Sequence, residues 1–395
     1  MEEWKEYKLE ETTDFIAGYA FKSKDFGSYE NKVVKIKDIQ PPFVSIASID
    51  GVNIHEYDIS KLAKYLVYKN DFLLAMTGAT IGKIGRYIYD KPVYLNQRVL
   101  KFMPKVGFDS DFIYYSLISD SFQKFIINHI DSDSAQPNIS ANTIGKYRLY
   151  IPDITIQKKI SHALKVLDSK IELNRRINDN LEQQAQALFD YYFSADSKYL
   201  SDSERGVLTN IAVYLNGLAM QKFPPTDSEH SLPVLKIKEL GQGKCDNNSD
   251  RCSNDIDSNY VIDNGNIIFS WSGTLMVDVW CGGKCGLNQH LFKVTPLQDY
   301  PQWFIYYWTI RHLNTFKLIA KDKAVTMGHI KRVDLEKAEV IIPNKYSLVE
   351  MNAQIEPLYQ SIINNRLQIA ELETLRDALL PKLMSGELKI NNLNC

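Results

Sequence analysis

The chain has 395 residues, 45% of them hydrophobic, and a formal net charge of -2; at about 150 residues per domain that suffices for two or three domains with cores of their own. The charge excludes a protein that holds nucleic acid through overall basicity and leaves only local patches for such a role, and no apolar run approaches the roughly 20 residues of a membrane span. Five cysteines, an odd number, behind an opening Met1-Glu2-Glu3-Trp4-Lys5 too polar for a signal peptide, point to reduced thiols and a cytoplasmic location.

Residues 1–153 read as an α+β unit. Strand-like runs at 33–39, 72–76, 93–95 and 99–102 alternate with turns containing Gly and Asn. A helix is expected over 110–129, and a final strand at 146–151 leads into Pro152. Between strands lies Thr77-Gly78-Ala79-Thr80-Ile81-Gly82-Lys83-Ile84-Gly85-Arg86. It is not a phosphate loop, because Gly78 and Gly82 stand too close and Ile84 occupies the place of the Mg²⁺-binding hydroxyl. Its small residues would let backbone approach a nucleic acid, with Thr80 to read or position and Lys83 and Arg86 to supply charge. The alternative is an ordinary hairpin turn. Asn96-Gln97-Arg98 carries amides suited to adenine and a guanidinium suited to guanine, or else holds a buried loop together; Gln136-Pro137-Asn138 stands open to the same two readings.

Residues 154–195 contain a long helix, about 155–193, without Pro or Gly. Its seam runs Ile160, Leu164, Leu167, Ile171, Asn174, Asn178, Leu181, Ala185, Leu188, at heptad spacing. Asn at seam positions costs stability and fixes register.

The second unit, 196–345, repeats the first. Strands are expected at 267–271, 291–294 and 337–342 and a helix at 302–321. Its Gly-rich loop is Ser272-Gly273-Thr274-Leu275, extended through Cys281-Gly282-Gly283-Lys284-Cys285-Gly286. Asn288-Gln289-His290 stands over Asn96-Gln97-Arg98, and Met327-Gly328-His329 over Gln136-Pro137-Asn138. Thr274, Lys284, Asn288, Gln289, His290 and His329 are the candidates for nucleic-acid contact, joined by the basic residues Lys24, Lys323 and Lys331. Residues 346–395 hold the second helix, about 348–385, with the seam repeated from Met351 to Leu383. Pro357 should kink it or delay its start, Pro381 should bend its end and Gly386 should stop it. Arg376 breaks the seam and marks a loose end.

The duplication is the most informative feature. Ile151-Pro152 falls on Ile342-Pro343, Asn174-Arg175 on Asn365-Arg366 and Leu181-Glu182 on Leu372-Glu373, without a gap. Gly18 falls on Gly217 and Leu95-Asn96-Gln97 on Leu287-Asn288-Gln289, with intervening insertions. A seam this long needs a partner, and the other copy is the economical one; the alternative is two helices packed separately on their own domains.

Signs of chemistry fail. Gln40-Pro41-Pro42-Phe43 approaches an amino-methyltransferase box, but Gln replaces the short residue that grips the amino group and no Gly-rich AdoMet loop accompanies it. Pro152-Asp153 with Asp168-Ser169-Lys170 has the spacing of a metal-dependent nuclease motif, yet Asp168 lies in the heptad helix, where the carboxylates cannot converge on Mg²⁺. Cys245, Cys252, Cys281 and Cys285 are irregularly spaced and the first copy has none, so they read as isolated thiols rather than a zinc site.

In combination, the Gly18 and Gly217 neighbourhoods, Thr77-Gly78-Ala79-Thr80-Ile81-Gly82, Leu95-Asn96-Gln97, Ile151-Pro152 leading to Ile156-Gln157, Lys170-Ile171-Glu172-Leu173-Asn174-Arg175 and Leu379-Leu380-Pro381-Lys382-Leu383-Met384-Ser385-Gly386 resemble the specificity subunits of type I restriction–modification systems. The resemblance spans essentially the whole chain. It implies two target-recognition domains, each reading half of a bipartite asymmetric site in double-stranded DNA. The two helices would pair as an antiparallel coiled coil that spaces these domains and docks two methyltransferase subunits, with restriction subunits joining. AdoMet, ATP and Mg²⁺ would be used by those partners and not by this chain. A stand-alone DNA methyltransferase or endonuclease, or a coiled-coil scaffold without DNA, are the alternatives.

Overall fold

Short apolar strands, the central ones buried along most of their length, build two similar pairs of sheets, the larger having six strands in the first unit and its counterpart four in the second. The computed structural model describes residues 4–47, 49–130, 137–227, 230–322 and 328–390. The chain divides into Met1–Asp168 with Thr374–Cys395 and, separately, Ser169–Glu373, so each unit takes a part of both long helices.

In the first unit the larger sheet has the order Thr13–Ala17, Val99–Pro104, Phe72–Ala75, Ile84–Arg86, Phe43–Val44, Ile39–Gln40. The smaller runs Asp50–Val52, Phe26–Val34, Val93–Leu95, Leu66–Val67, with the two middle strands parallel. Lys5–Lys8 pairs antiparallel with Arg148–Ile151. The second unit repeats this: Ala212–Asn216, Leu291–Pro296, Ile267–Ser270, Met276–Val279 in one sheet, and Arg251–Ser253, Ser231–Leu235, Cys285–Leu287, Val261–Ile262 in the other, again with a parallel middle pair. Glu204–Val207 pairs with Glu339–Ile342.

Several expectations need correction. The run 33–39 is strand only to Val34, after which Ile36–Asp38 makes a 3₁₀ turn. The helix expected over 110–129 is two, Ser110–Leu117 and Asp120–Asn128, because Ser119 takes an extended conformation and its hydroxyl bonds the Ser116 carbonyl. Its counterpart Gln302–Asp322 is continuous. The long Gly-rich loop of the second unit is two turns: Met276–Val279 intervenes as a strand whose Val277 and Val279 are buried.

The long helices are Ile154–Tyr192 and Lys345–Met384, of 39 and 40 residues. Pro357 neither delays nor ends the second, which begins twelve residues before it; its ring sits on the exposed face, where one missing N–H is tolerated. Gly386, with φ +75°, does close it, donating to the Leu383 carbonyl. Within the second unit the two helices pair antiparallel: Asn174 Nδ2 donates to Gln368 Oε1 (2.7 Å), Asn178 Nδ2 to the Ile362 carbonyl (3.1 Å), and Asn365 Nδ2 to Asn178 Oδ1 (2.9 Å). The ion pairs Arg175–Glu373 (2.6 Å) and Arg366–Glu182 (2.8 Å) are the same contact made twice, since the repeat sets Arg175 on Arg366 and Glu182 on Glu373.

Within the first unit Ile160 and Leu164 share a core with Leu380 and Leu383. Arg376 is no loose end there: its guanidinium meets Asp168 at 3.0 Å and Asp377 at 2.8 Å, and Tyr115 also donates to Asp168 at 2.7 Å. Burial opposes the Arg376 charge, and the two carboxylates more than compensate. The same core takes in Ile390, while Trp4, Leu379 and Met384 pack against it, so residues of the C-terminal segment complete the N-terminal unit.

The buried Asn178 is the polar centre of the seam, 5% exposed. Asn178→Leu strands the amide of Asn365, and a loss of about 1–2 kcal/mol is expected in denaturant unfolding. Asn178→Leu with Asn365→Leu should recover that loss while relaxing the register.

Candidate nucleic-acid interface

In the first unit the strand Phe72–Ala75 ends in Met76-Thr77 and a 3₁₀ turn, Gly78–Thr80, before the chain returns as Ile84–Arg86. The Gly-rich loop is thus a hairpin connection, closed by Gly82 N–H to the Ala75 carbonyl (2.9 Å) and Ala75 N–H to the Lys83 carbonyl (3.0 Å). Gly78 and Gly82 both have positive φ, +73° and +81°. Gln123 anchors the loop from outside, donating to the Gly82 carbonyl at 3.1 Å.

Two further turns meet this loop. Asn96-Gln97-Arg98 is a tight turn, with Val99 N–H on the Asn96 carbonyl. Gly18 lies so close to it that a Cβ would stand 2.1 Å from the Asn96 oxygen, which admits only glycine. The third piece is Pro137-Asn138-Ile139. Three backbone bonds tie them together: Met76 N–H to the Arg98 carbonyl, Ile139 N–H to the Met76 carbonyl, and Gly78 N–H to the Pro137 carbonyl, each 3.0 Å.

The second unit makes the same three bonds: Trp271 N–H to His290 (3.4 Å), Ile330 N–H to Trp271 (3.1 Å) and Gly273 N–H to Gly328 (3.0 Å). Gly217 stands against the Asn288 oxygen as Gly18 does against Asn96. Segments far apart in the sequence are therefore joined in one place, once per unit.

The candidate residues divide accordingly. Thr80, Asn96, Gln97, Arg98 and Asn138 converge in the first unit, and Thr274, Asn288, Gln289, His290 and His329 in the second. Lys331 caps the short helix Arg332–Leu335 directly after His329, with its side chain exposed. Gln97, Arg98, Lys83 and Thr274 are exposed. Asn288 is 5% exposed and its side chain accepts from the His290 N–H at 3.3 Å, so it holds the turn together. Thr80 Oγ1 and Gln289 Oε1 are buried without a hydrogen-bond partner among the described residues.

Arg86 requires correction. Its guanidinium pairs with Asp111 at 2.5 Å and lies over the Tyr114 ring, with 13% of the side chain exposed, so its charge is consumed inside the unit. Burial raises the cost of the Asp111 carboxylate, yet Arg86 and Lys165 together hold it below its ordinary range. Lys24 and Lys284 lie on the smaller-sheet side of their units, Lys24 near Glu56 at 3.9 Å and Lys284 just before Cys285–Leu287. Gln136 and Lys323, like Met327, lie outside the described residues.

Trp271 and Asn216 also stand at this junction and are outside the candidates named from the sequence, while Ser272 is named there only as part of the Gly-rich loop. Trp271 Nε1 donates to Asn216 Oδ1 at 2.9 Å, and Ser272 Oγ meets His290 Nδ1 at 3.0 Å. Comparing the repeats position by position finds Trp271 and Asn216, since Met76 and Ala17 stand at the equivalent places. Among the described residues, no group of three or more His, Cys, Asp or Glu is disposed to hold a metal ion, and no helix is long and apolar enough to cross a membrane.

One framework made twice, with Asn-Gln kept at the middle turn and the neighbouring side chains changed, defines a two-part recognition protein. The family model described as the type I restriction modification DNA specificity domain matches residues 1–183 and 202–374, and the chain belongs to that family. It is 25% identical over 362 residues to the type I restriction enzyme MjaIX specificity subunit of Methanocaldococcus jannaschii, covering 86% of this chain and 83% of the relative. The HindI specificity subunit of Haemophilus influenzae is 24% identical, over 98% of this chain and all of the relative. The fold is that of the crystal structure of the type I restriction–modification S subunit from M. genitalium, with a TM-score of 0.61, 14% identity and 96% of each chain covered.

Proposed function

We propose that each unit reads one half of a bipartite, asymmetric site in double-stranded DNA through its three convergent turns. The paired helices set the gap between half-sites and dock two methyltransferase subunits, to which restriction subunits are added. AdoMet, ATP and Mg²⁺ belong to those partners in the cytoplasm, and this chain contributes recognition rather than chemistry. The observation that carries this reading is the threefold backbone junction made in both units, with Asn-Gln shared at its middle turn and the side chains around it changed, as from Arg98 and Asn138 to His290 and His329. Mapping methylated sites after reconstitution with a methyltransferase subunit tests it. Two short specific blocks separated by a fixed gap are expected; a single continuous site, or methylation without the partner, overturns it.

Charge contributions are separable. Lys83 is exposed and has no side-chain partner among the described residues, so Lys83→Met should reduce the slope of log K against log salt by about 0.9 if it meets a phosphate. Arg86→Met should leave that slope unchanged and lower stability by about 1–3 kcal/mol, because it leaves the partly buried Asp111 carboxylate with only Lys165 of its two partners. Salt titrations and denaturant melts distinguish the two.

A further inference from the structure

In the second unit a half-buried indole sits at the junction of the three turns. Trp271 is placed against the His290 ring (centroids 6.0 Å), the Phe292 ring (5.8 Å) and edge-on to His329 (6.3 Å). Its single polar atom is engaged, since Nε1 donates to Asn216 Oδ1 at 2.9 Å. The indole therefore offers a neighbour only an apolar surface, in a position fixed from two sides.

Comparison within the chain shows that this arrangement is particular to the second unit. The strand registers place Met76 where Trp271 stands and Ala17 where Asn216 stands. Met76 is 9% exposed, and the alanine has nothing to hold an indole N–H. The framework is shared, so the joint change from Met with Ala to Trp with Asn is not required by the fold: the indole packs against the core along one side and presents its half-buried remainder at the junction. The flanking side chains change with it, from Arg98 and Asn138 to His290 and His329.

Resting on the reading that this junction faces a DNA half-site, we propose that Trp271, oriented by Asn216, is a specificity determinant that packs on the 5-methyl group of a thymine in the second half-site. In the major groove that methyl is the one apolar mark a base pair presents, and an indole without a free donor can recognise no polar edge. The second half-site accordingly contains an A·T pair at a position set by this unit, while the first half-site is read by the polar side chains of Arg98 and Asn138.

The test uses the full chain reconstituted with its methyltransferase subunit and oligonucleotides carrying the mapped site. Replacing thymine by deoxyuridine in the second half-site removes only the methyl, and about fourfold weaker binding is expected from the loss of one buried methyl-sized group; the same replacement in the first half-site is the control. Trp271→Ala should abolish the thymine–uracil difference, and Asn216→Ala should diminish it. Trp271→Phe keeps an aromatic surface and should retain part of it. A second half-site lacking any A·T pair, equal binding of the thymine and uracil duplexes by the wild-type complex, or a difference that survives in Trp271→Ala overturns the proposal. If the wild-type complex fails to prefer its mapped site over a scrambled one, the reading of the junction as a DNA surface fails instead, and the two failures are thus distinguishable.

Discussion

A heptad inserted into each long helix at facing positions, after Arg175 in the first and before Gln368 in the second, is expected to lengthen the gap between methylated half-sites by about 3 base pairs. The two insertion points face each other through the Asn174–Gln368 hydrogen bond. A heptad advances a helix by about 10.5 Å and keeps the seam in phase, and base pairs rise about 3.4 Å each. Both half-site sequences should remain as they were. Insertion into one helix alone must throw either the Arg175–Glu373 pair or the Arg366–Glu182 pair out of register and should abolish methylation. Sequencing of modified sites reads both outcomes, and an unaltered gap in the double insertion removes the helices from the role of ruler.

Arg366→Ala should be the most damaging single loss of charge among the ion pairs of the second unit described above. Its guanidinium bonds Asp278 (2.6 Å) on the strand Met276–Val279, the Val279 carbonyl (3.2 Å) and Glu182 (2.8 Å) on the first long helix. Burial opposes its charge, and Asp278 and Glu182 together raise its proton affinity above that of a free guanidinium. Removing it leaves two partly buried carboxylates facing each other. The expected loss is about 2–3 kcal/mol, which lowers the melting midpoint of a unit of this size by roughly 5–10 °C. Arg366→Lys should recover only a part, because one ammonium cannot reproduce the forked geometry. A melting curve that matches the wild type for Arg366→Ala contradicts this account.

The repeat, the long helices and their seam were legible because they rest on periodicity and on gapless internal matching. Ile171, Asn174, Asn178 and Ala185 are buried as the heptad requires. The turns Asn96-Gln97-Arg98 and Asn288-Gln289-His290 were legible as a recurring motif. Arg86 and Arg376 were misjudged for one reason: a sequence shows that a guanidinium is present but not which carboxylate folds against it. Asp111 and Asp168 are distant from them along the chain, and tertiary packing alone supplies those pairs. The extra break at Ser119 turns on a local hydroxyl bond that competes with the helix, which a periodicity argument does not weigh. Trp271 escaped notice because an aromatic at a strand end is ordinary; its meaning lies in the pairing with Asn216.

The core of the N-terminal unit contains Leu380, Leu383 and Ile390, and Trp4 stands beside Gly386. During synthesis on the ribosome this unit is translated first, yet its hydrophobic interior stays open until residues near 390 have emerged. An aborted polypeptide ending anywhere before them exposes that interior to chaperones and proteases. A chain that stops after the first unit therefore lacks the residues that seal its core, because they follow the whole of the second unit.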